Sequence, residues 1–155
     1  MDFANAKREN VAMGKKVMIV EDNEFNLKLF TDLLRAHQFE VQGVRDGRLA
    51  LDQAHLFAPD LVIMDIQLLH VSGADLIEAM QKDARLSSIP VLAVTAYAGK
   101  GDEERIIAAG AQGYLSKPVS MMTFLESVQG IIGGSANVQD CTARIKKGAR
   151  SALID

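Results

Sequence analysis

Apolar runs alternate along the chain with segments in which apolar residues recur every three or four positions. The clearest runs, at residues 17–20, 61–64 and 91–94, contain no polar residue. Uninterrupted runs of this kind are typical of strands that are buried on both faces of a parallel sheet. Residues 39–44 and 113–116 are two weaker strand candidates, so the sequence predicts five strands.

The segments between the predicted strands have the spacing of amphipathic helices. Leu27, Phe30 and Leu34, for example, would share one helix face. The other helical positions are Ala50, Gln53 and Phe57, then Leu76, Ile77 and Met80, then residues 102–109, and finally Met121, Phe124, Leu125, Val128 and Ile132. This alternation of strand and helix predicts a doubly wound α/β fold, in which a five-stranded parallel sheet carries helices on both faces.

The two ends of the chain differ from this periodic middle. Residues 1–14 have no apolar period, and we interpret them as a loose N-terminal arm. Residues 15–133 contain all five strand–helix units, which form one predicted domain. Two glycines and a serine follow as a helix end and linker, so we interpret residues 134–155 as a poorly ordered polar tail. An added helix over residues 142–153 is the alternative for this tail.

Composition and charge narrow the class of protein. With 48% hydrophobic and 24% charged residues, the chain has the composition of an ordinary globular domain. Seventeen basic against twenty acidic residues give a net charge of −3, too small to predict nucleic-acid or membrane binding. The single cysteine, Cys141, excludes an internal disulfide and a cysteine-based zinc site. Because the apolar runs span only a few residues, we expect no membrane insertion and a cytoplasmic location.

Polar residues whose side chains could take part in a reaction directly follow the predicted strands. Glu21 and Asp22 follow the first strand, and Asp65, Thr95 and Lys117 end the third, fourth and fifth. In a parallel sheet these ends share one edge, so the side chains should converge in one crevice. Three crowded carboxylates would raise one another's pKa, which a hard cation such as Mg²⁺ would relieve. A carboxylate beside such an ion is a candidate nucleophile toward phosphorus, with the lysine and threonine available for the phosphoryl oxygens.

Four short motifs contain these polar residues. They are Val-Glu-Asp-Asn at residues 20–23, Met-Asp-Ile-Gln at 64–67, Val-Thr-Ala at 94–96 and Tyr-Leu-Ser-Lys-Pro at 114–118. Together they resemble the receiver domain of two-component response regulators, over residues 16–132. The resemblance implies a flavodoxin-like (βα)5 sheet with strand order 2-1-3-4-5. Residues 21–30 and 100–105 are most similar to single-domain response regulators of bacterial cell division.

The resemblance implies a reaction and a switch. Asp65 would be the phosphoacceptor, taking a phosphoryl group from a histidine kinase. Lys117 would pair with the phosphoryl group, and the Lys117–Pro118 peptide bond would be cis. Thr95 would swing toward the phosphoryl group, and Tyr114 would change rotamer to fill the vacated space.

The resemblance also implies a magnesium site. Asp22, Asp65 and the main-chain carbonyl of Gln67 would bind Mg²⁺, and Glu21 would reach the ion through water. One position departs from the family pattern, because Leu69 stands where the family usually has proline. Since proline fixes one backbone angle, the loop that follows Asp65 should be less rigid than usual.

We therefore expect a single-domain response regulator, a phosphoacceptor rather than an enzyme with turnover. Its partners would be histidine kinases or phosphatases and downstream regulatory proteins, and it would be a monomer or weak dimer. Two alternatives keep the fold: a receiver module of a hybrid kinase system, and a binding module that acts without phosphorylation. An enzyme is the third alternative, a flavodoxin-like or haloacid-dehalogenase-like phosphatase, of which the latter would need an aspartate where Gln67 stands.

Overall fold

A computed structural model of the protein describes residues 14–96 and 100–133. The predicted C-terminal tail, and the predicted N-terminal arm apart from Gly14, lie outside the described residues. Five strands alternate with five α-helices. In chain order they are β1 (Lys16–Val20), α1 (Glu24–Ala36), β2 (Glu40–Val44), α2 (Ala50–Phe57), β3 (Leu61–Asp65), α3 (Gly73–Lys82), β4 (Val91–Thr95), α4 (Lys100–Ala109), β5 (Gly113–Ser116) and α5 (Met121–Gly133).

The five strands form one parallel sheet in the order β2-β1-β3-β4-β5. The predicted fold and strand order are therefore confirmed, and each predicted strand is correct to within one residue. The register places Val20 beside Met64, and Asp65 beside Val94. Because neighbouring strands run in the same direction, the residues that follow them meet at a single edge of the sheet.

Helices cover both faces of the sheet. The helices α1 and α5 pack on one face, and α2, α3 and α4 pack on the other. Every residue of β3 and β4 is buried, which explains why their sequences lack polar alternation. Between α1 and α5, the rings of Phe30 and Phe124 stack with centroids 4.4 Å apart.

Side chains cap helices at the edge where the strands end. The Asn23 side chain accepts a hydrogen bond from the Asn26 backbone N–H at 2.9 Å, which starts α1. The Ser72 hydroxyl accepts from the Ala74 N–H at 3.2 Å, which starts α3. These caps satisfy backbone donors that the first turn leaves without partners. No helix in the described part of the chain has the length and apolar character that a membrane crossing requires.

The stacked phenylalanine pair should contribute strongly to stability. Phe124 is fully buried, so its replacement by alanine leaves a large cavity. Phe124→Ala should therefore lower the free energy of unfolding by about 3–5 kcal/mol. Urea denaturation measures this change. In the matched control, Phe25→Ala removes a ring that is 73% exposed and should change stability by less than about 0.5 kcal/mol. Similar losses in both variants would contradict this packing.

Candidate functional site

Three carboxylates meet at the carboxyl edge of the sheet, as the sequence predicts. Glu21 and Asp22 directly follow β1, and Asp65 is the last residue of the neighbouring strand β3. Carboxylate oxygens from the three side chains lie within 4.8 Å of one another. Glu21 and Asp65 are buried, whereas Asp22 is partly exposed. Parallel pairing of two adjacent strands thus brings together acids that are 43 positions apart (65 minus 22) in the sequence.

The Asp65 carboxylate is held from two sides. Its Oδ1 accepts a hydrogen bond from the Gln67 backbone N–H at 3.0 Å. Its Oδ2 accepts one from Lys117 Nζ at 3.3 Å. These bonds restrict the carboxylate to one orientation at the mouth of the crevice.

Lys117 bridges two of the three acids. Its Nζ donates to Glu21 Oε1 at 2.9 Å and also reaches Asp65 Oδ2. Its backbone N–H donates to the Thr95 carbonyl at 2.7 Å, which ties the start of the loop after β5 to the end of β4. The Lys117–Pro118 peptide bond is cis, as the resemblance implied. Burial alone would lower the pKa of the Lys117 ammonium, but its contacts with Glu21 and Asp65 outweigh burial and raise it.

Burial raises the pKa of the Asp65 carboxyl from an ordinary 3.8 to about 6, and the neighbouring Glu21 carboxyl adds to the shift. The Gln67 N–H and the Lys117 charge lower the pKa, but they do not reverse the shift. One lysine charge stands against three carboxylates, so the cluster keeps an excess of negative charge where burial already disfavours the ionised form of Asp65. A further positive charge would favour the ionised form of Asp65.

The donor set of this cluster fits a hard cation. It offers carboxylate oxygens from three side chains and includes neither histidine nor cysteine. Mg²⁺ and Ca²⁺ prefer oxygen ligands, and Mg²⁺ is usually held by one or two carboxylates together with water. The partly exposed Asp22 leaves room for such water. The backbone of Gln67 lies at the same cluster, since its N–H contacts Asp65.

Thr95 and Tyr114 lie where the sequence predicts them, and both are buried. In the β4–β5 register Ala93 pairs with Tyr114 and Thr95 pairs with Ser116, so Thr95 and Tyr114 face the same side of the sheet. Burial raises the pKa of the Tyr114 hydroxyl. A cavity of about 280 Å³ opens beside Thr95, lined in part by Gln67 and Arg105.

The loop after Asp65 is short and closed, although it lacks the usual proline. Leu69 is 82% exposed and lies at the tip of this loop. Below the tip, an isolated antiparallel bridge joins Gln67 to Ser72, and the Gly73 N–H donates to the Ile66 carbonyl at 2.9 Å. Backbone pairing thus closes the loop on Asp65. The predicted looseness at Leu69 stays a prediction.

Some contacts were not predicted from the sequence. Glu21 Oε2 accepts a hydrogen bond from the Asn23 N–H at 3.2 Å, which fixes the second oxygen of this acid. The half-buried His55 places its Nε2 2.8 Å from Asp83 Oδ2. The His55–Asp83 pair lies away from the carboxylate cluster. Its two residues are 28 positions apart in the sequence, and no motif links them.

The pKa of Asp65 predicts a pH-dependent effect of Asp65→Asn in protein free of divalent metal. Between about pH 4 and pH 6 the folded state binds more protons than the unfolded state, so rising pH removes stability. Above pH 6 the Asp65 carboxyl is ionised, and its destabilising effect on the fold reaches its full size. Asparagine carries no charge and removes that effect. Asp65→Asn should therefore raise the unfolding free energy by about 1–3 kcal/mol at pH 8, and far less at pH 4.5. Urea denaturation with EDTA measures both values, and an equal effect at the two pH values would contradict the shift.

Comparison with known proteins agrees with this geometry. The family model of the response regulator receiver domain matches residues 17–129. Two similar proteins are the polar-differentiation response regulators DivK of Brucella anthropi and Brucella melitensis. Each is 50% identical over 121 residues, which cover 78% of this chain and 98% of the relative.

Solved structures show the same architecture. The chemotaxis protein CheY4 of Vibrio cholerae matches with a TM-score of 0.72 at 28% identity, over 77% of this chain and 99% of that one. The receiver domain of a sensor histidine kinase from Pseudomonas aeruginosa matches with a TM-score of 0.72 at 30% identity, over 78% of this chain and 99% of that one. That structure is described with a magnesium ion coordinated in its active site cleft. The family match over most of the chain and the shared fold show that this protein belongs to the response regulator receiver domain family.

Proposed function

We propose that Asp65 accepts a phosphoryl group from a histidine kinase, in a reaction that depends on Mg²⁺. The observation that carries this proposal is the buried Asp65 carboxylate, held by Gln67 and Lys117 and crowded by two further acids. A carboxylate in such a cluster has a fixed orientation and an excess of negative charge beside it. Both properties suit a nucleophile that works next to a bound cation.

The proposed reaction transfers the phosphoryl group without water. One carboxylate oxygen of Asp65 forms a bond to phosphorus while the phosphorus–nitrogen bond to the kinase histidine breaks. The departing imidazole nitrogen keeps the electron pair of that bond. The product is an acyl phosphate on Asp65, and the chain acts as a phosphoacceptor rather than an enzyme with turnover.

The cluster would hold Mg²⁺ through Asp22, Asp65 and the main-chain carbonyl of Gln67, with Glu21 acting through water. When bound, Mg²⁺ supplies the positive charge that lets phosphoryl oxygens approach the carboxylates. Glu21 already accepts bonds from Lys117 and from the Asn23 N–H, so it is positioned to stay in place behind the ion. The raised pKa of Asp65 supports this need for added positive charge.

Lys117 and Thr95 would respond to the new phosphoryl group. The Lys117 ammonium lies 3.3 Å from the acceptor oxygen, so it can pair with phosphoryl oxygens after a small movement. The Thr95 hydroxyl would donate to the phosphoryl group, in a charged hydrogen bond worth about 1.5–3 kcal/mol. Tyr114 faces the same side of the sheet and would fill the space that Thr95 leaves. This pair would carry the signal toward α4, β5 and α5.

The names of the relatives guide the proposed biological role. A polar-differentiation regulator at 50% identity suggests that this chain also acts in cell-cycle or cell-division control, in the cytoplasm. Its partners would be kinases or phosphatases and downstream regulatory proteins. Two exposed apolar side chains at the site edge suit protein docking: Phe25 in the first turn of α1 and Met122 in the first turn of α5, 73% and 68% exposed.

Mass spectrometry of protein treated with acetyl phosphate tests the acceptor. Wild-type protein with Mg²⁺ should gain one phosphate, on the peptide that contains Asp65, and Asp65→Asn should gain none. In excess EDTA the wild type should label at least ~100-fold more slowly, since each uncompensated like-charge pair at ~4 Å costs about 4 kcal/mol at an effective dielectric constant of ~20. Phosphate on Asp65→Asn, or full labelling in EDTA, would refute the proposal.

A second experiment separates docking from chemistry. Phe25→Ser and Met122→Ser should slow phosphotransfer from a histidine kinase that phosphorylates the wild type, by about tenfold each, because central interface contacts are worth more than about 1 kcal/mol. Labelling by acetyl phosphate should stay unchanged, since neither side chain belongs to the carboxylate cluster. The matched control is Leu56→Ser, near the far end of α2, where an equally exposed leucine (79%) should tolerate the change. Loss of acetyl phosphate labelling would contradict a docking role.

A further inference from the structure

Gly73, the first residue of α3, lies directly against the backbone of Asp65. A Cβ atom at this position would lie 2.3 Å from the Asp65 carbonyl oxygen and 2.6 Å from Ile66 Cα. Cβ atoms essentially never approach heavy atoms outside their own residue and its chain neighbours within 3.0 Å, so any side chain here forces a movement. The obstructing atoms are backbone atoms, which cannot rotate away as a flexible side chain can.

The glycine is required for space rather than for backbone freedom. The φ angle of Gly73 lies outside the left-handed region, in contrast to Gly110 at +124°. In a helix, alanine is favoured over glycine because it loses less backbone entropy. Intrinsic helix propensity therefore argues against glycine at position 73. The close approach of the Asp65 backbone explains why a glycine stands there.

The two sides of this contact differ in how firmly they are held. On the helix side, α3 is anchored by three large buried side chains, Leu76, Ile77 and Met80. On the strand side, pairing of β3 with β1 ends at Met64, so Asp65 is paired only with β4. A side chain at position 73 would therefore displace the end of β3 more readily than the helix.

Displacement of the end of β3 would reach the carboxylate cluster directly. The Asp65 carboxylate is oriented by the Gln67 N–H, and the loop that holds Gln67 is closed by the Gly73 N–H bond to the Ile66 carbonyl. A movement of this backbone would shift the acceptor carboxylate and the Gln67 carbonyl together. Both belong to the proposed metal and phosphoryl site.

We propose that Gly73 is a positioning residue: its missing side chain lets α3 start against the Asp65 backbone and so sets the carboxylate relative to Asp22 and Lys117. This inference rests on the proposed role of Asp65. It assigns to the helix start a part in metal affinity and in phosphoryl transfer, although Gly73 itself touches neither metal nor phosphoryl group.

The test compares Gly73→Ala with two control variants by calorimetric titration of the full chain with Mg²⁺, without any phosphodonor. Gly73→Ala should raise the Mg²⁺ dissociation constant by about tenfold, as the loss of groups that support metal ligands does. Labelling by acetyl phosphate at saturating Mg²⁺ should slow by about 10- to 100-fold. Gly101→Ala is the matched control, since a Cβ there meets nothing within 4 Å, and both quantities should stay within about twofold of wild type.

Ser72→Ala separates positioning from stability. It removes the hydroxyl that caps α3 and should lower the melting temperature, yet Mg²⁺ affinity should stay within about twofold, because the contact with Asp65 is untouched. Wild-type Mg²⁺ affinity and labelling in Gly73→Ala would overturn the inference. So would equal loss of Mg²⁺ affinity in Ser72→Ala, or failure of Gly73→Ala to fold, since Gly73 would then serve stability alone. Absence of phosphate on the wild type would instead refute the role of Asp65, whatever the Mg²⁺ titrations show.

Discussion

Repulsion among three carboxylates at one edge of a parallel sheet is the constraint on which the site depends. Glu21, Asp22 and Asp65 approach within 4.8 Å, and the Lys117 ammonium offsets only part of their charge. In the folded chain, burial of the Asp65 carboxyl and the neighbouring Glu21 carboxyl together raise the pKa of Asp65. A bound cation would complete the charge balance, so the same repulsion would favour the proposed metal binding.

The rest of the fold holds these charges in place. Pairing on both edges and helices on both faces keep the central strands from separating along their length, so the repulsion persists where the strands end. The strand ends are then tied by short contacts, such as the Lys117 N–H bond to the Thr95 carbonyl. Gly73 belongs to the same scheme, since its missing side chain lets α3 begin against the end of β3.

The sequence predicted the fold and the members of the site better than their contacts. Apolar runs located the strands, and polar residues at their ends located Glu21, Asp65 and Lys117, because parallel pairing leaves one place where such residues can meet. Periodicity could not show that the Gln67 N–H orients Asp65, since that bond depends on loop geometry. It also could not pair His55 with Asp83, which meet only because a helix end and a distant loop pack together.

The ionisation of Asp65 is the most direct test of the account. Carbon-13 NMR of aspartate-labelled protein, with Asp65→Asn to assign the signal, can follow the Asp65 carboxyl carbon as pH is varied. Without divalent metal, we expect a pKa of about 6 for Asp65, and saturating Mg²⁺ should lower it well below that value. An ordinary pKa near 3.8 that does not respond to Mg²⁺ would contradict the claim that crowded carboxylates prepare Asp65 for metal and phosphoryl binding.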